Sequence, residues 1–238
     1  MSKFEKTQWI ESDFTKNYRD DASIYLPFRS QFIVVTKSIY SYLINVKSTE
    51  AKILDLGCGD GLFIQEFLKS FSPLSVTLVD GSSEMLESAK KRLNNKANIN
   101  FINSTFQELL KKKSLKGNFN FIFSSLAIHH LSFEEKRQLY KYVYKLLPKG
   151  GLFLNYDVVI HPSKKIEKYY LLLWKQWIEE HPSDRSKMLL GIPEQYKKNR
   201  DNKPDTLKLQ LETLEKIGFK DVNSYFKYGL FVLFGGIK

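Results

Sequence analysis

The spacing of apolar residues changes character repeatedly along this chain, and each change predicts an element. In SQFIVVTKSIYSYLIN, residues 30–45, apolar side chains recur at helical spacing and place Phe32, Val35, Ile39 and Leu43 on one face. AKILDL is a short continuous apolar run that stops at Gly57, the pattern of a buried strand. GLFIQEFLKSF then returns to helical spacing through Phe63, Phe67 and Leu68. SVTLVD predicts a second strand, followed by a helix over SSEMLESAKKRL with Ser82 or Ser83 as its N-cap. INFINS and FNFIFSSL predict two more strands, and FQELLKKKSL between them reads as either a short helix or a loop. SFEEKRQLYKYVYKLLPKGG is a capped helix closed by Pro148 and two glycines, and LFLNYDVV is the strand that follows.

Strand and helix thus alternate five times over residues 51–159, which calls for a parallel sheet covered by helices on both faces. Residues 160–204 interrupt the rhythm. There KKIEKYYLLLWKQWIEE is helical and aromatic, and HPSDRSKMLLGIPEQYKKNRDNKPD is loop-like. The chain closes with a helix, DTLKLQLETLEKIG, and with FKDVNSYFKYGLFVLFGGIK, two strands around a tight turn near Tyr228-Gly229. The expected architecture is one α/β domain with a seven-stranded sheet, mostly parallel with an antiparallel last strand. Its parts are an N-terminal helical segment (1–48), a core (49–159), a helical insertion after strand 5 (160–204) and the last helix and strand pair (205–238).

Composition adds few constraints. With 42% hydrophobic and 26% charged residues, the 238-residue chain has the make-up of a globular domain with an ample core. The N-terminal MSKFEKTQWIESDF lacks the apolar centre of a signal peptide, and no apolar run reaches membrane-spanning length, so the expected location is the cytoplasm. A single cysteine, Cys58, fits a reducing compartment. The net charge of +11 points toward nucleic acid only weakly, because the lysines are scattered over many segments and lysines are mostly solvated.

The candidate chemistry lies where the first strand ends. The turn after the first strand of a doubly wound sheet lies at the edge where such folds bind ligands. Gly57, Gly59 and Gly61 fall there, and glycine lets the backbone approach a ligand and adopt torsions other residues resist. Their spacing is G-x-G-x-G with Leu62 in sixth place, which departs from the G-x-G-x-x-G of dinucleotide folds. Asp55, still within the strand, suits a cationic amino-acid ligand better than a pyrophosphate. Asp80 ends the second strand, where a carboxylate accepts two hydrogen bonds from a ribose diol, and Met85 can lie against an adenine face through its sulfur.

At these residues the chain resembles the class I S-adenosylmethionine-dependent methyltransferases. ILDLGCGDG, VTLVDGSSEML, FIFSSLAIHHL and LLPKGGLFLNYD look like that family's successive motifs over about residues 50–160, and GFKDV…FVLFGG is similar to its last helix and strand pair. The resemblance implies a Rossmann-like fold and S-adenosyl-L-methionine as cofactor. It assigns Asp55, Gly57, Cys58, Gly59 and Gly61 to the methionine portion, Asp80 to the ribose hydroxyls, and Gly81 and Met85 to the adenosine surroundings. Ser124 and Ser125 would line the methionine side, and Tyr18 in NYRDD resembles a tyrosine that closes over the cofactor. The family often has an acid after the third strand that receives the adenine amino group. Thr105 stands in its place, with the Phe106 amide as a possible donor.

Methyl transfer is an in-line displacement at an already activated carbon, so positioning supplies most of what is needed, and a base only where the acceptor must lose a proton. His129, His130 and Asp157 are the candidate catalytic groups. Some relatives bind magnesium here through E-x-x-E-H, but Leu126 and His129 occupy the glutamate positions, so no metal is expected. In the insertion Tyr170, Trp174 and Trp177 share a helix face, which reads as core or as a roof over the acceptor, and Arg29 is a candidate contact for an acidic substrate. The expected activity is methyl transfer to a small-molecule acceptor by a monomer or homodimer. The alternatives are RNA methylation and, from a looser similarity of IYLPFRSQF, LEKIGFKDVNSYFKYGLF and the region of Arg200, carboxy-S-adenosylmethionine synthesis in tRNA modification. A non-catalytic cofactor-binding protein is a further class.

Overall fold

The computed structural model describes residues 22, 24–44, 48–94, 98–182 and 189–238. Strands β1 (Lys52–Leu56), β2 (Ser75–Asp80), β3 (Ile99–Asn103), β4 (Phe121–Ser125) and β5 (Leu152–Val158) pair in parallel. The final hairpin, β6 (Lys220–Tyr228) and β7 (Phe231–Ile237), joins through β7, which runs antiparallel to both β5 and β6. The sheet order is β3-β2-β1-β4-β5-β7-β6, so the winding reverses between β1 and β4. Ligands of doubly wound sheets bind at such a reversal. This is the Rossmann-like, seven-stranded sheet with one antiparallel strand that the pattern predicts.

Alternate strand residues feed two cores. Ile53, Phe121, Phe123, Leu154 and Tyr156 pack against α1 (Arg29–Leu43), α2 (Leu62–Phe67), α3 (Ser83–Arg92) and the insertion helix α6 (Lys164–Glu180). Leu54, Ile122, Phe153 and Phe234 pack against α4 (Phe106–Lys112), α5 (Phe133–Leu146) and α8 (Leu207–Ile217). Strands buried on both faces read as continuous apolar runs, which is why AKILDL and FNFIFSSL carry no alternation. Among the described residues no helix is long and apolar enough to cross a membrane.

Local capping decides several points the pattern left open. Ser82, not Ser83, caps α3 by accepting the Met85 amide. The stretch FQELLKKKSL does form a helix, α4, because Thr105 and Glu108 make a reciprocal capping box. The fully buried line of α1 is Phe32, Thr36 and Tyr40, with Val35, Ile39 and Leu43 only partly buried beside it. A polar Thr36 is tolerated inside because its hydroxyl donates to the Phe32 carbonyl at 2.7 Å. The supposed loop of the insertion contains a further helix, α7 (Ile192–Lys198), with Pro193 in its first turn where a missing N–H costs nothing.

Candidate cofactor-binding and active site

The glycine turn is knitted to the end of β2. The Gly57 and Cys58 amides both donate to the Val79 carbonyl, at 2.8 and 3.1 Å. Asp80 accepts the Gly59 amide on Oδ2 and the Ser82 amide on Oδ1, each at 2.8 Å. From the other side Arg92, at the end of α3, donates to the Asp60 carbonyl at 2.9 Å, to the Asp60 carboxylate at 2.5 Å and to Gln65 at 3.2 Å. Nothing in the basic run Lys90-Lys91-Arg92 at a helix end announces that its arginine clamps a loop.

Two glycines of this turn have different jobs. Gly57, at φ 72°, faces Ala127, whose Cβ would lie 2.4 Å from any added Cβ, so its bareness serves close packing between two turns. Gly59, at φ 55°, has nothing within 4 Å of that position, so its bareness faces open space in the cavity. Gly57→Ala is expected to destabilise the fold. Gly59→Ala should cost only the left-handed strain, about 1–2 kcal/mol, a melting shift of about 2–8 °C. Its effect on cofactor affinity should be larger than on stability. Thermal melts and S-adenosylhomocysteine titrations on both variants check this; a Gly59→Ala protein with unaltered affinity would count against a ligand there.

A cavity of about 660 Å³ opens at this edge, within the range of small-molecule sites. Of the residues singled out in the sequence, Gly57, Gly59, Asp80, Gly81, Met85, Thr105, Phe106, Ser125 and His130 line it. Leu126, Ala127, Gln107, Ser132, Glu135, Asp201 and Lys203 complete much of the wall. Leu126 itself sits at φ 51°, a conformation that turns the chain sharply after β4. Asp55, Cys58, Gly61 and Ser124 do not line this cavity. Gly61 packs on Ala89, and Ser124 donates its hydroxyl to the Leu56 carbonyl at 2.7 Å, fastening β4 to β1. Tyr18 lies outside the described residues.

The charges behind the turn are unbalanced. Asp55 is 1% exposed, and among the described residues neither of its carboxylate oxygens has a hydrogen-bond partner. Burial, and then repulsion from Asp80, push its carboxyl well above the usual range. Burial also raises Asp80, against the opposing amides of Ser82, Gly59 and Gly81. The Cys58 thiol is pushed up by burial and by Asp80 and Asp55, so it stays protonated and is no nucleophile. Among the described residues no cation offsets these two carboxyl groups.

A pH-dependent cost follows. Because the folded pKa of Asp55 lies above its unfolded value of about 4, folding binds a proton between the two and stability falls as pH rises through that window. Asp55→Asn is therefore expected to raise the melting temperature of the ligand-free protein above that window while weakening cofactor binding. Equal or lower stability of the variant near neutral pH would contradict the buried-charge account.

Beyond β4, a short 3-10 turn (Ile128–His130) carries both histidines, their ring centroids 4.1 Å apart, and gives them different surroundings. His129 is buried, and its Nδ1 lies 2.6 Å from Asp157 Oδ1. Asp157 also accepts the Val158 amide at 2.9 Å and Asn155 Nδ2 at 3.3 Å. Burial alone raises this carboxyl, but His129, the Val158 amide and Lys136 together hold it below the ordinary range. Neither His129 nor Asp157 lines the cavity, so the pair fixes the turn to β5 from beneath. His130 does line it; burial and the adjacent His129 push its imidazole down to about 3, leaving it neutral at physiological pH. Its Nδ1 donates weakly to the Asp201 carbonyl at 3.4 Å.

The insertion reaches the cavity by an unexpected route. Trp174 is buried and donates its indole N–H to the Tyr25 carbonyl at 2.6 Å, with its ring edge-on to Phe231 at 4.9 Å. Trp177 donates to the Ile24 carbonyl at 2.9 Å and packs on Phe28. Neither they nor Arg29 lines the cavity. The roof reading is corrected: the aromatic face of α6 meets the apolar surface of the sheet and N-terminal segment. Instead the irregular return of the insertion after α7 supplies Asp201 and Lys203. The Lys203 amide donates to the His129 carbonyl at 2.7 Å. Buried Lys136 holds the return, donating to Asp205 Oδ2 at 2.6 Å and to the Lys203 carbonyl. Among the described residues no three His, Cys, Asp or Glu side chains are grouped to hold a metal.

Residues 53–151 match the family model described as a methyltransferase domain. A malonyl-[acyl-carrier protein] O-methyltransferase of Ilyobacter polytropus is 33% identical over 99 residues, 42% of this chain and 35% of that protein. A carboxy-S-adenosyl-L-methionine synthase of Nautilia profundicola is 28% identical over 207 residues, 82% of this chain and 80% of that protein. An O-methyltransferase family protein from Burkholderia thailandensis superposes with a TM-score of 0.68 at 12% identity, covering 98% of this chain and 62% of that one. The chain thus spans about a third of the first relative and under two thirds of the solved structure. The sheet order is thus that of a Rossmann-like methyltransferase fold, and residues 53–151 are similar to a methyltransferase domain. Solved structures of that fold carry S-adenosylhomocysteine or S-adenosylmethionine.

Proposed function

We propose that this protein transfers a methyl group from S-adenosylmethionine to a small-molecule acceptor by in-line displacement. The observation that supports it most is one cavity shared by the open face of Gly59, the Asp80 carboxylate and the neutral His130 imidazole. Bound there, the cofactor would supply a methyl group already activated by a sulfonium. Asp80 would hold the ribose hydroxyls with the acceptor capacity its two amide bonds leave over, and Asp55, buried behind the turn, would favour the ammonium through its charge without touching it. Ser125, Leu126 and Ala127 line the cavity and would border the reacting end, on a turn tied to β5 by the His129–Asp157 pair. His130 is the candidate group for orienting the acceptor or receiving its proton, because it is neutral and on the wall. Asp201 and Lys203 offer the acceptor both signs of charge.

A second reading, carboxy-S-adenosylmethionine synthesis, is favoured by one observation: the similarity to the Nautilia profundicola synthase runs over most of both chains. Against it, Arg200 is exposed and does not line the cavity. Mass spectrometry of the nucleoside that accompanies the purified protein, followed by incubation with methyl-labelled S-adenosylmethionine and an acceptor panel, separates the readings. Label in a small molecule supports methyl transfer. A carboxylated cofactor, or label only in RNA, would overturn it.

A further inference from the structure

Resting on the reading that S-adenosylmethionine occupies this cavity, we infer that Gln107 recognises the adenine ring edge-on, its amide oxygen accepting from the exocyclic amino group and its amide N–H donating to N7. Strand register puts it in the right place. β2 and β3 are parallel neighbours with Asp80 opposite Asn103, and the Ser104 amide donates to the Asp80 carbonyl at 3.0 Å. Residues 104–107 therefore run along the cavity wall beside the carboxylate that would hold the ribose, where the attached base must lie.

The neighbouring side chain is committed elsewhere. Thr105 Oγ1 accepts the Glu108 amide and donates to Glu108 Oε2, both at 3.2 Å, to cap α4. Gln107, two residues on, is oriented from outside: its Nε2 donates to Glu135 Oε1 at 3.0 Å. Glu135 is fixed in turn, since its Oε2 accepts the amide and hydroxyl of Ser132 at 2.8 and 2.7 Å. Although burial raises the Glu135 carboxyl, the Ser132 and Gln107 hydrogen bonds bring it below the ordinary range, so it is ionised and only accepts. The Gln107 amide must then turn its NH₂ toward Glu135. That leaves the amide oxygen and the second N–H as an acceptor–donor pair in fixed order. This pair is the complement of adenine N6 and N7, the same match by which Gln and Asn read adenine in nucleic acids. A carbonyl in place of the amino group would confront the amide oxygen with another acceptor.

Calorimetric titration with three ligands tests this without requiring turnover. The ligands are S-adenosylhomocysteine, its 7-deaza analogue lacking the N7 acceptor, and its inosine analogue lacking the amino donor. The wild-type protein should prefer S-adenosylhomocysteine over each by roughly 5- to 100-fold, the span of a bidentate base contact. Gln107→Ala should bring the 7-deaza ratio to about unity and shrink the inosine ratio. Glu135→Gln, which can let the amide flip, should reduce both ratios partway. Asp80→Ala should weaken all three ligands alike. If Gln107→Ala melts normally and keeps both wild-type ratios, the inference is overturned while cofactor binding stands. If the wild-type protein binds none of the three, the proposed function falls as well.

Discussion

Asp80→Ala is expected to weaken S-adenosylhomocysteine binding by roughly 2–4 kcal/mol, on about 1.5–3 kcal/mol per hydrogen bond to a charged group and less than full additivity. The structure adds a second consequence. Asp80 also accepts the Gly59 and Ser82 amides, so its removal leaves the glycine turn without its fastening to the start of α3. Part of the loss is therefore disorder of the site rather than a missing contact. Asp80→Asn, which keeps one acceptor oxygen, should fall between the wild-type and alanine proteins. The carboxylate also raises Asp55, so both variants should shift the Asp55 titration back toward ordinary values. Affinity unchanged in a folded Asp80→Ala protein would remove the ribose assignment.

Trp174→Ala should cost about 3–5 kcal/mol of folding stability, the usual price of emptying a large aromatic site. For a chain of this size that is a melting shift on the order of 10 °C. The reasons are its 3% exposure, its bond to the Tyr25 carbonyl and its packing on Phe231 and Tyr196. Trp177, only partly buried, should cost less. Below the melting transition the Trp174→Ala protein should bind cofactor within about 1 kcal/mol of wild type, because Trp174 does not line the cavity and reaches the His129 turn only through Tyr196. A large affinity loss with little loss of stability would restore the idea of an aromatic roof.

Much of the fold was legible because both signals it relies on are local. Continuous apolar runs mark strands buried on two faces, and helical spacing with caps such as Ser82 and Ser132 marks the helices between them. The cavity's edge of the sheet was legible for a related reason: Asp55, Gly57, Gly59 and Asp80 sit at or just past strand ends, so sequence position alone fixes their place on the sheet. What periodicity does not carry is which wall a long-range segment forms. Trp174 and Trp177 share a helix face whether that face meets ligand or core, and only the Tyr25 and Ile24 carbonyls decide it. Thr36 looked polar and lay inside because its hydroxyl bonds within its own helix. The Lys136–Asp205 and Gln107–Glu135 pairs join residues 69 and 28 positions apart, which no spacing rule relates.

The two histidines show the same limit at the site itself. HH in LAIHHL reads as a pair of equivalent candidates, yet one turns in toward Asp157 and the other toward the cavity. That separation divides their roles. His129 variants should act through the turn, lowering stability and cofactor affinity together, whereas His130 variants should act at the cavity wall.

A structure of the protein with S-adenosylhomocysteine bound tests the central claim most directly. The account predicts the ribose diol within hydrogen-bond distance of the Asp80 carboxylate, the amino-acid chain against Gly59 with its ammonium toward Asp55, and the base beside Thr105 to Gln107. A ligand seated away from this cavity, or lying within it with Asp80 unengaged, would contradict the account.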